Sequence, residues 1–304
     1  MAPMLHFLRL LRRAIWRAFE HDCFAIAKAA AYSAILTIFP LFLVIAGVLA
    51  ASHTTEKFLS EIANAVGQIM PPGARSAAMQ YFEGGHHRPS RLLLSASVIT
   101  IMAASGVMIS WMEGFRNAYR LPREWGVLKE RSVALLLVLF SFAPMTLATI
   151  LVGFGNQIQT WLIQHSTREI GLAVLLLWQA GRWLISTLTS IAVLSLIYHW
   201  GIPRTQPYYR VLPGATLATV FWFTATVGFG WYVTRYANYT AIYGSLGAAI
   251  ALLVWTYIVS ITVLIGAEFN ALVYPRIVLE DRRNAALAMN PPSNPAAGKP
   301  AAVR

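Results

Sequence analysis

Charge is what this sequence lacks most. Asp, Glu, Lys and Arg make up 12 % of its 304 residues, where a soluble domain carries roughly 25 %. Hydrophobic residues reach 57 % and the mean hydropathy is +0.57, which excludes an ordinary soluble fold and points to a membrane protein. Acidic side chains are the scarcer sign, 12 against 24 basic ones, and the only aspartates are Asp22 and Asp281. Two-metal cleavage of phosphodiesters needs clustered carboxylates, and none are visible. Also missing are a phosphate-cradling glycine loop ending in Lys-Ser/Thr, a zinc-helix motif and a nucleophile elbow, so no enzyme activity, cofactor or metal is expected. The single cysteine, Cys23, can form no internal disulfide and reads as a small apolar residue. No repeat of 20 to 50 residues and no symmetry between two three-helix halves appears.

Long apolar runs take the place of what is missing. A bilayer core about 30 Å thick needs roughly 20 apolar residues at about 1.5 Å each. Six such stretches occur, near Phe24 to Ala51, Leu92 to Trp111, Val133 to Phe154, Gln179 to Trp200, Leu212 to Val233 and Gly244 to Tyr274. The fourth has an apolar extension from Gly171 to Trp178. The first is too long for the apolar region of a cleaved secretory signal and is kept as a mature helix. Of the 24 basic residues, 17 fall on the side of the termini and six on the other, with Arg182 inside the fourth run. By the positive-inside rule the expectation is an all-α polytopic protein of six transmembrane helices with both termini cytoplasmic. That distribution also accounts for the net charge of +12 through anionic inner-leaflet lipid, without a nucleic-acid partner.

Three parts lie outside the membrane. Residues 1–23 hold a cytoplasmic amphipathic helix, with Leu8, Leu11, Ile15 and Phe19 on one face and Arg9, Arg12, Arg13 and Arg17 around the rest, suited to lie on the inner leaflet. Residues 24–274 form the transmembrane domain, including an external loop at 52–91 in which Phe58, Ile62, Val66 and Ile69 recur at helical spacing before Met70-Pro71-Pro72-Gly73, predicting a short helical hairpin. Residues 275–304 form a cytoplasmic tail whose Ala, Pro, Asn and Gly predict disorder from Pro291 onward.

An ionisable residue inside a membrane is costly and is a functional candidate by default. Glu268 closes the sixth span beside Gly266 and Asn270. It either coordinates a proton or cation or simply accepts hydrogen bonds from a neighbouring helix. Lys28 lies one turn inside the first span, where its stem can snorkel to the headgroups; Arg182 can snorkel outward or bind an anionic substrate. Pro40, with Thr37 and Ser33 one and two turns earlier, predicts a kink in the first span, and Pro144 does the same in the third. Such kinks either shape a cavity or are the ordinary prolines of membrane helices. Thr216, Thr219, Phe223, Thr226 and Gly230 share a face of the fifth span, either as close packing or as a mildly polar path. His86 and His87 read as surface residues, since a zinc site needs three or four ligands.

The sixth span, YGSLGAAIALLVWTYIVSITVLIGAEFNA from Tyr243 to Ala271, closely resembles the signature end of the YihY/BrkB family of bacterial inner-membrane proteins. The likeness extends to AAAYSAILTIFPLFLVIAG (Ala29 to Gly47), GFRNAYRLPREWGVLKERSVAL (Gly114 to Leu135) and HWGIPRTQPYYRVLPGA (His199 to Ala215). Thr37 departs from the serine of many members but keeps the hydroxyl. The resemblance implies six helices with both termini inside. It brings no catalytic residues, and the ribonuclease label that members have carried conflicts with the missing carboxylates. Together, resemblance and residues single out Pro40, Tyr243, Gly244, Gly247, Glu268 and Asn270, beside Arg182 and Lys28. The expected function is transport or translocation of a lipid or other amphiphilic envelope component; the alternative is a membrane scaffold or envelope-integrity factor. Neither substrate nor oligomeric state is legible.

Overall fold

The computed structural model describes residues 2–51, 90–165, 168–204, 206–235 and 246–275. These form seven helices and, among the described residues, no strand: α1 (Ala2–Glu20), α2 (Cys23–Ala51), α3 (Ser90–Tyr119), α4 (Val127–His165), α5 (Arg168–Trp200), α6 (Tyr208–Arg235) and α7 (Leu246–Val273). Six of them, α2 to α7, are long and apolar enough to cross a membrane, over Cys23–Ile45, Leu93–Tyr119, Val127–Ala148, Trp178–Trp200, Tyr208–Val233 and Ala249–Val273. The expected six spans are therefore present. The loop at 52–89, the tail beyond residue 275, His86, His87, Tyr243 and Gly244 lie outside the described residues.

Span boundaries move where charge hid the periodicity. α3 continues past Trp111 to Tyr119 because Met112, Phe115, Ala118 and Tyr119 recur at helical spacing and are all buried, while Arg116 and Asn117 point elsewhere. α4 and α6 likewise begin a turn or more earlier than the apolar run does. The extension before the fourth span is helical and continuous with it in α5.

The spanning helices run up and down and close a ring in which α2 packs on α3, α3 on α4, α4 on α5, α5 on α6, α6 on α7 and α7 back on α2, with α7 also reaching α3. α7 is therefore the helix with most protein around it. The largest fully buried side chains, among them Met112, Phe115, Leu137, Ile202, Val211, Val263 and Leu264, gather at the end of the ring where α3, α5 and α7 finish and α2, α4 and α6 begin.

α1 turns into α2 through His21 and Asp22, with Asp22 in the left-handed region at φ 55°, a conformation Asp tolerates better than most residues. The His21 amide donates to the Arg17 carbonyl at 2.8 Å, and the Asp22 carbonyl accepts from Ala25 and Ile26 to start α2. α1 packs against α7 through Ala14 and Ala18, both fully buried, with Leu10 and Leu11 partly buried beside them. The predicted apolar face thus divides: Leu11 turns toward protein, whereas Leu8, Ile15 and Phe19 stay exposed.

Candidate functional site

The last three turns of α7 set the site. Gly266 lets α6 approach so closely that a Cβ there would fall on the Tyr198 hydroxyl, the Gly214 carbonyl and the Ala218 methyl. Gly214 is the matching position on α6, where a Cβ would meet the Gly266 carbonyl and the Asn270 side chain. Pro213, in the second turn of α6, has no N–H and loosens the local ladder. Asn270 ties this segment down: its Oδ1 accepts from the Gly214 amide at 2.7 Å and its Nδ2 donates to the Val211 carbonyl at 3.0 Å. On the other flank the Tyr198 hydroxyl donates to the Val263 carbonyl at 2.6 Å, joining α5 to α7.

Within this close-packed end sits Glu268, 0 % exposed. Its Oε1 pairs with His21 Nδ1 at 2.5 Å, and the Cys23 thiol lies 4.0 Å from the same oxygen. Oε2 is buried with no hydrogen-bond partner among the described residues. Arg17 of α1 and Arg120, just past α3, are near enough for their charges to act on the carboxylate. Tyr119 faces Gln206, and Glu268 acts electrostatically on Tyr119. The Tyr119 hydroxyl and both polar atoms of Gln206 are buried without a hydrogen bond that meets normal geometry. α1, the turn after it, the start of α2 and the end of α3 thus bring polar groups to one carboxylate. A buried carboxyl with one oxygen on an imidazole and the other open can hold a proton, pass it to histidine, or accept a donor from a ligand.

Two other acidic residues at this end are otherwise occupied. Glu130 at the start of α4 is paired by Arg116 and by Arg123, the latter at 2.7 Å, while Glu124 meets Arg204 at 3.2 Å. Among the described residues no three His, Cys, Asp or Glu side chains converge as metal ligands.

The structure divides the candidates from sequence. Glu268 and Asn270 lie together, both fully buried, but Asn270 is fully engaged in joining α6 to α7 while Glu268 keeps an open oxygen. Lys28 is exposed on the outer side of α2. Arg182 is only 7 % exposed, so it lies among protein side chains rather than reaching outward from the bundle. It is 16 residues before Tyr198 on α5, about 24 Å away along the helix, and does not join Glu268. Pro40, half-buried in a continuous α2, and the buried Gly247 also belong to the far half. Thr37 bonds the Ser33 carbonyl at 2.8 Å. On α6, Thr219 is buried whereas Thr216 and Thr226 are exposed, and a Cβ on Gly230 would meet nothing within 4 Å. The close crossing is at Gly214 instead.

Sequence reasoning missed His21, Cys23, Tyr119 and Gln206 as site members. His21 and Glu268 are 247 residues apart, and no spacing rule links them. The one local signal was burial of polar residues at helix ends, which a sequence does not display.

Comparison with known proteins completes the picture. Residues 14–290 match the sequence profile of the family described as Virulence factor BrkB. The chain is 28 % identical over 258 residues to the Putative ribonuclease-like protein YfkH of Bacillus subtilis, covering 83 % of this chain and 90 % of that one. It is 25 % identical over 270 residues to a UPF0761 membrane protein of Chromohalobacter salexigens, covering 87 % of this chain and 63 % of that one. A UPF0761 membrane protein of Xanthomonas axonopodis pv. citri is 24 % identical over 264 residues, 84 % of this chain and 59 % of its own. The chain thus spans about six tenths of the length of these last two relatives. No solved structure matches. A profile match across most of the chain, on six apolar helices whose sequence already resembled the family, establishes that this membrane protein belongs to the BrkB family.

Proposed function

We propose that this protein translocates a lipid or other amphiphilic component of the bacterial envelope across the inner membrane, with Glu268 as the group whose charge or hydrogen bonding changes during the cycle. The observation that carries this reading is the open Oε2 of a carboxylate fully buried on the most enclosed helix of the ring. A residue kept only for packing would leave no acceptor stranded in the interior, because a buried unsatisfied polar group costs about 1–3 kcal/mol. Arg182, buried toward the opposite end, offers a second charge on the path an anionic headgroup would follow.

The scaffold reading has one observation in its favour, the close crossing of α6 and α7 at Gly214 and Gly266, which suits a rigid platform. Glu268→Gln separates the two. It keeps size and most hydrogen bonding, so the variant inserts and folds. Translocation predicts that it fails in functional complementation and in headgroup-labelled lipid transfer across reconstituted vesicles; full activity in both leaves Glu268 a structural residue. Among the described residues no three His, Cys, Asp or Glu side chains converge to give the ribonuclease wording of the Bacillus relative a metal site here.

The same reading puts the Glu268 end in the cytoplasm, from the 17 basic residues on that side. Single cysteines in a Cys23→Ala background are expected to react with an impermeant reagent on whole cells at Ser60 or Ser76 and to stay unlabelled at Ser132 or Ser293. Labelling at Ser293 in sealed cells would invert the orientation.

A further inference from the structure

α1 meets α7 at two places that fix its direction. Phe7 packs edge-on against Phe269 with ring centroids 5.7 Å apart, and His21 reaches Glu268 at 2.5 Å. Phe7 and His21 are 14 residues apart, about 21 Å along α1, whereas Glu268 and Phe269 are neighbours. Only a helix lying across α7, rather than alongside it, satisfies both contacts. Since α7 spans the membrane, α1 lies near the membrane plane. Its level is four residues, about 6 Å, short of the end of the apolar span at Val273, the depth of the boundary between acyl chains and headgroups.

Turned this way, α1 presents three faces. Ala14 and Ala18 are pressed into protein. Roughly a third of a turn around the helix, Leu5, Leu8, Ile15, Trp16 and Phe19 form an exposed apolar strip with Arg12 in its midst. Beyond it lie the exposed Arg9 and Arg13. The apolar strip needs an apolar cover, and the arginines beside it need anions. An anionic phospholipid surface supplies both in one layer, acyl chains against the strip and phosphates around the guanidinium groups.

We propose that α1 is a docked interfacial helix that binds anionic phospholipid in the leaflet at the Glu268 end, with Arg9, Arg12 and Arg13 holding phosphate groups. This surface does not depend on transport, so it stands or falls separately from the translocation reading. Because α1 leads directly into His21, the lipid it binds sits about two to three turns from the partner of Glu268.

The test uses the full chain in nanodiscs. Nitroxide labels at Ile15→Cys and Phe19→Cys, in a Cys23→Ala background, are expected to collide more with oxygen than with a water-soluble nickel chelate, and a label at Arg13→Cys to show the reverse. Equal nickel access at all three positions overturns the proposal. So does immobilisation of the Ile15 and Phe19 labels in a particle holding two copies, because a second chain would then cover the strip. Replacing Arg9, Arg12 and Arg13 with Gln should weaken retention of phosphatidylglycerol relative to phosphatidylcholine, read by native mass spectrometry, by roughly fivefold per arginine. Unchanged retention overturns the role given to the arginines.

Discussion

The two ends of the helix ring differ in how they handle polar groups. At the Glu268 end some hydroxyls bond back to their own helix, as Thr216, Thr219 and Thr262 do, but three polar side chains bond across segments: Asn270 to α6, Tyr198 of α5 to α7, His21 to Glu268. Through the middle and far half most hydroxyls bond back to their own helix. Thr37 bonds Ser33, Ser97 bonds Leu93, Thr100 bonds Ala96 and Ser190 bonds Ser186, in each case the carbonyl four residues earlier. An exception is Trp255 of α7, whose indole N–H donates to Thr226 on α6 at 3.2 Å. A back-bonded hydroxyl satisfies itself without committing to a neighbour. One end is therefore joined by directional bonds between segments and by the glycine contact of α6 with α7, while the described hydroxyls of the other mostly bond within their own helix.

The contrast breaks most visibly at Asn270. Asn270→Leu removes both bonds to α6 and leaves the Gly214 amide and Val211 carbonyl facing an apolar side chain. Stranding such groups costs about 1–3 kcal/mol. We expect a clear fall in the melting temperature of the detergent-solubilised protein. An unchanged melting temperature would show that this end is not held by directional bonds.

Glycines sharpen the same contrast with a matched pair on one helix. Gly214→Ala puts a methyl into the Gly266 backbone, whereas Gly228→Ala meets nothing within 4 Å. Overpacking a close contact costs about 1–3 kcal/mol, and backbone cannot move aside as a flexible side chain can. Gly228→Ala should be neutral or slightly stabilising, since alanine favours helix. Comparable melting temperatures for the two variants would remove the asymmetry along α6.

The sequence made the ring legible and the lock illegible, for a physical reason. Span number follows from apolar length, a local quantity, so all six helices could be counted. Their extension at Met112, Phe115 and Tyr119 was hidden because Glu113 and Arg116 interrupt the run while lying on another face. Glu268 and Asn270 stood out because polar residues in an apolar run are costly. Their different roles, one engaged by α6 and the other half open, depend on Gly214 and His21, which lie far away in the chain. Cys23 read as a filler; its place 4.0 Å from Glu268 comes from the tight turn at Asp22.

The smallest expected effect is also the most discriminating. Tyr198→Phe and Thr37→Val each delete one hydroxyl whose bond is short, 2.6 Å and 2.8 Å. By bond length they should matter equally. They differ in what the hydroxyl joins. Tyr198 links α5 to α7 in a fully packed interior, so its loss should cost about 0.5–1.5 kcal/mol. Thr37 only adds a second donor to a carbonyl that the helix ladder can still serve, and its replacement keeps the branched shape, so the change should stay within about 0.5 kcal/mol. Thermal unfolding of the two variants in the same detergent reads the difference directly. If Thr37→Val destabilises as much as Tyr198→Phe, hydroxyls in the far half are carrying inter-helix load, and the division of this bundle into an end bonded across segments and one bonded within its own helices fails.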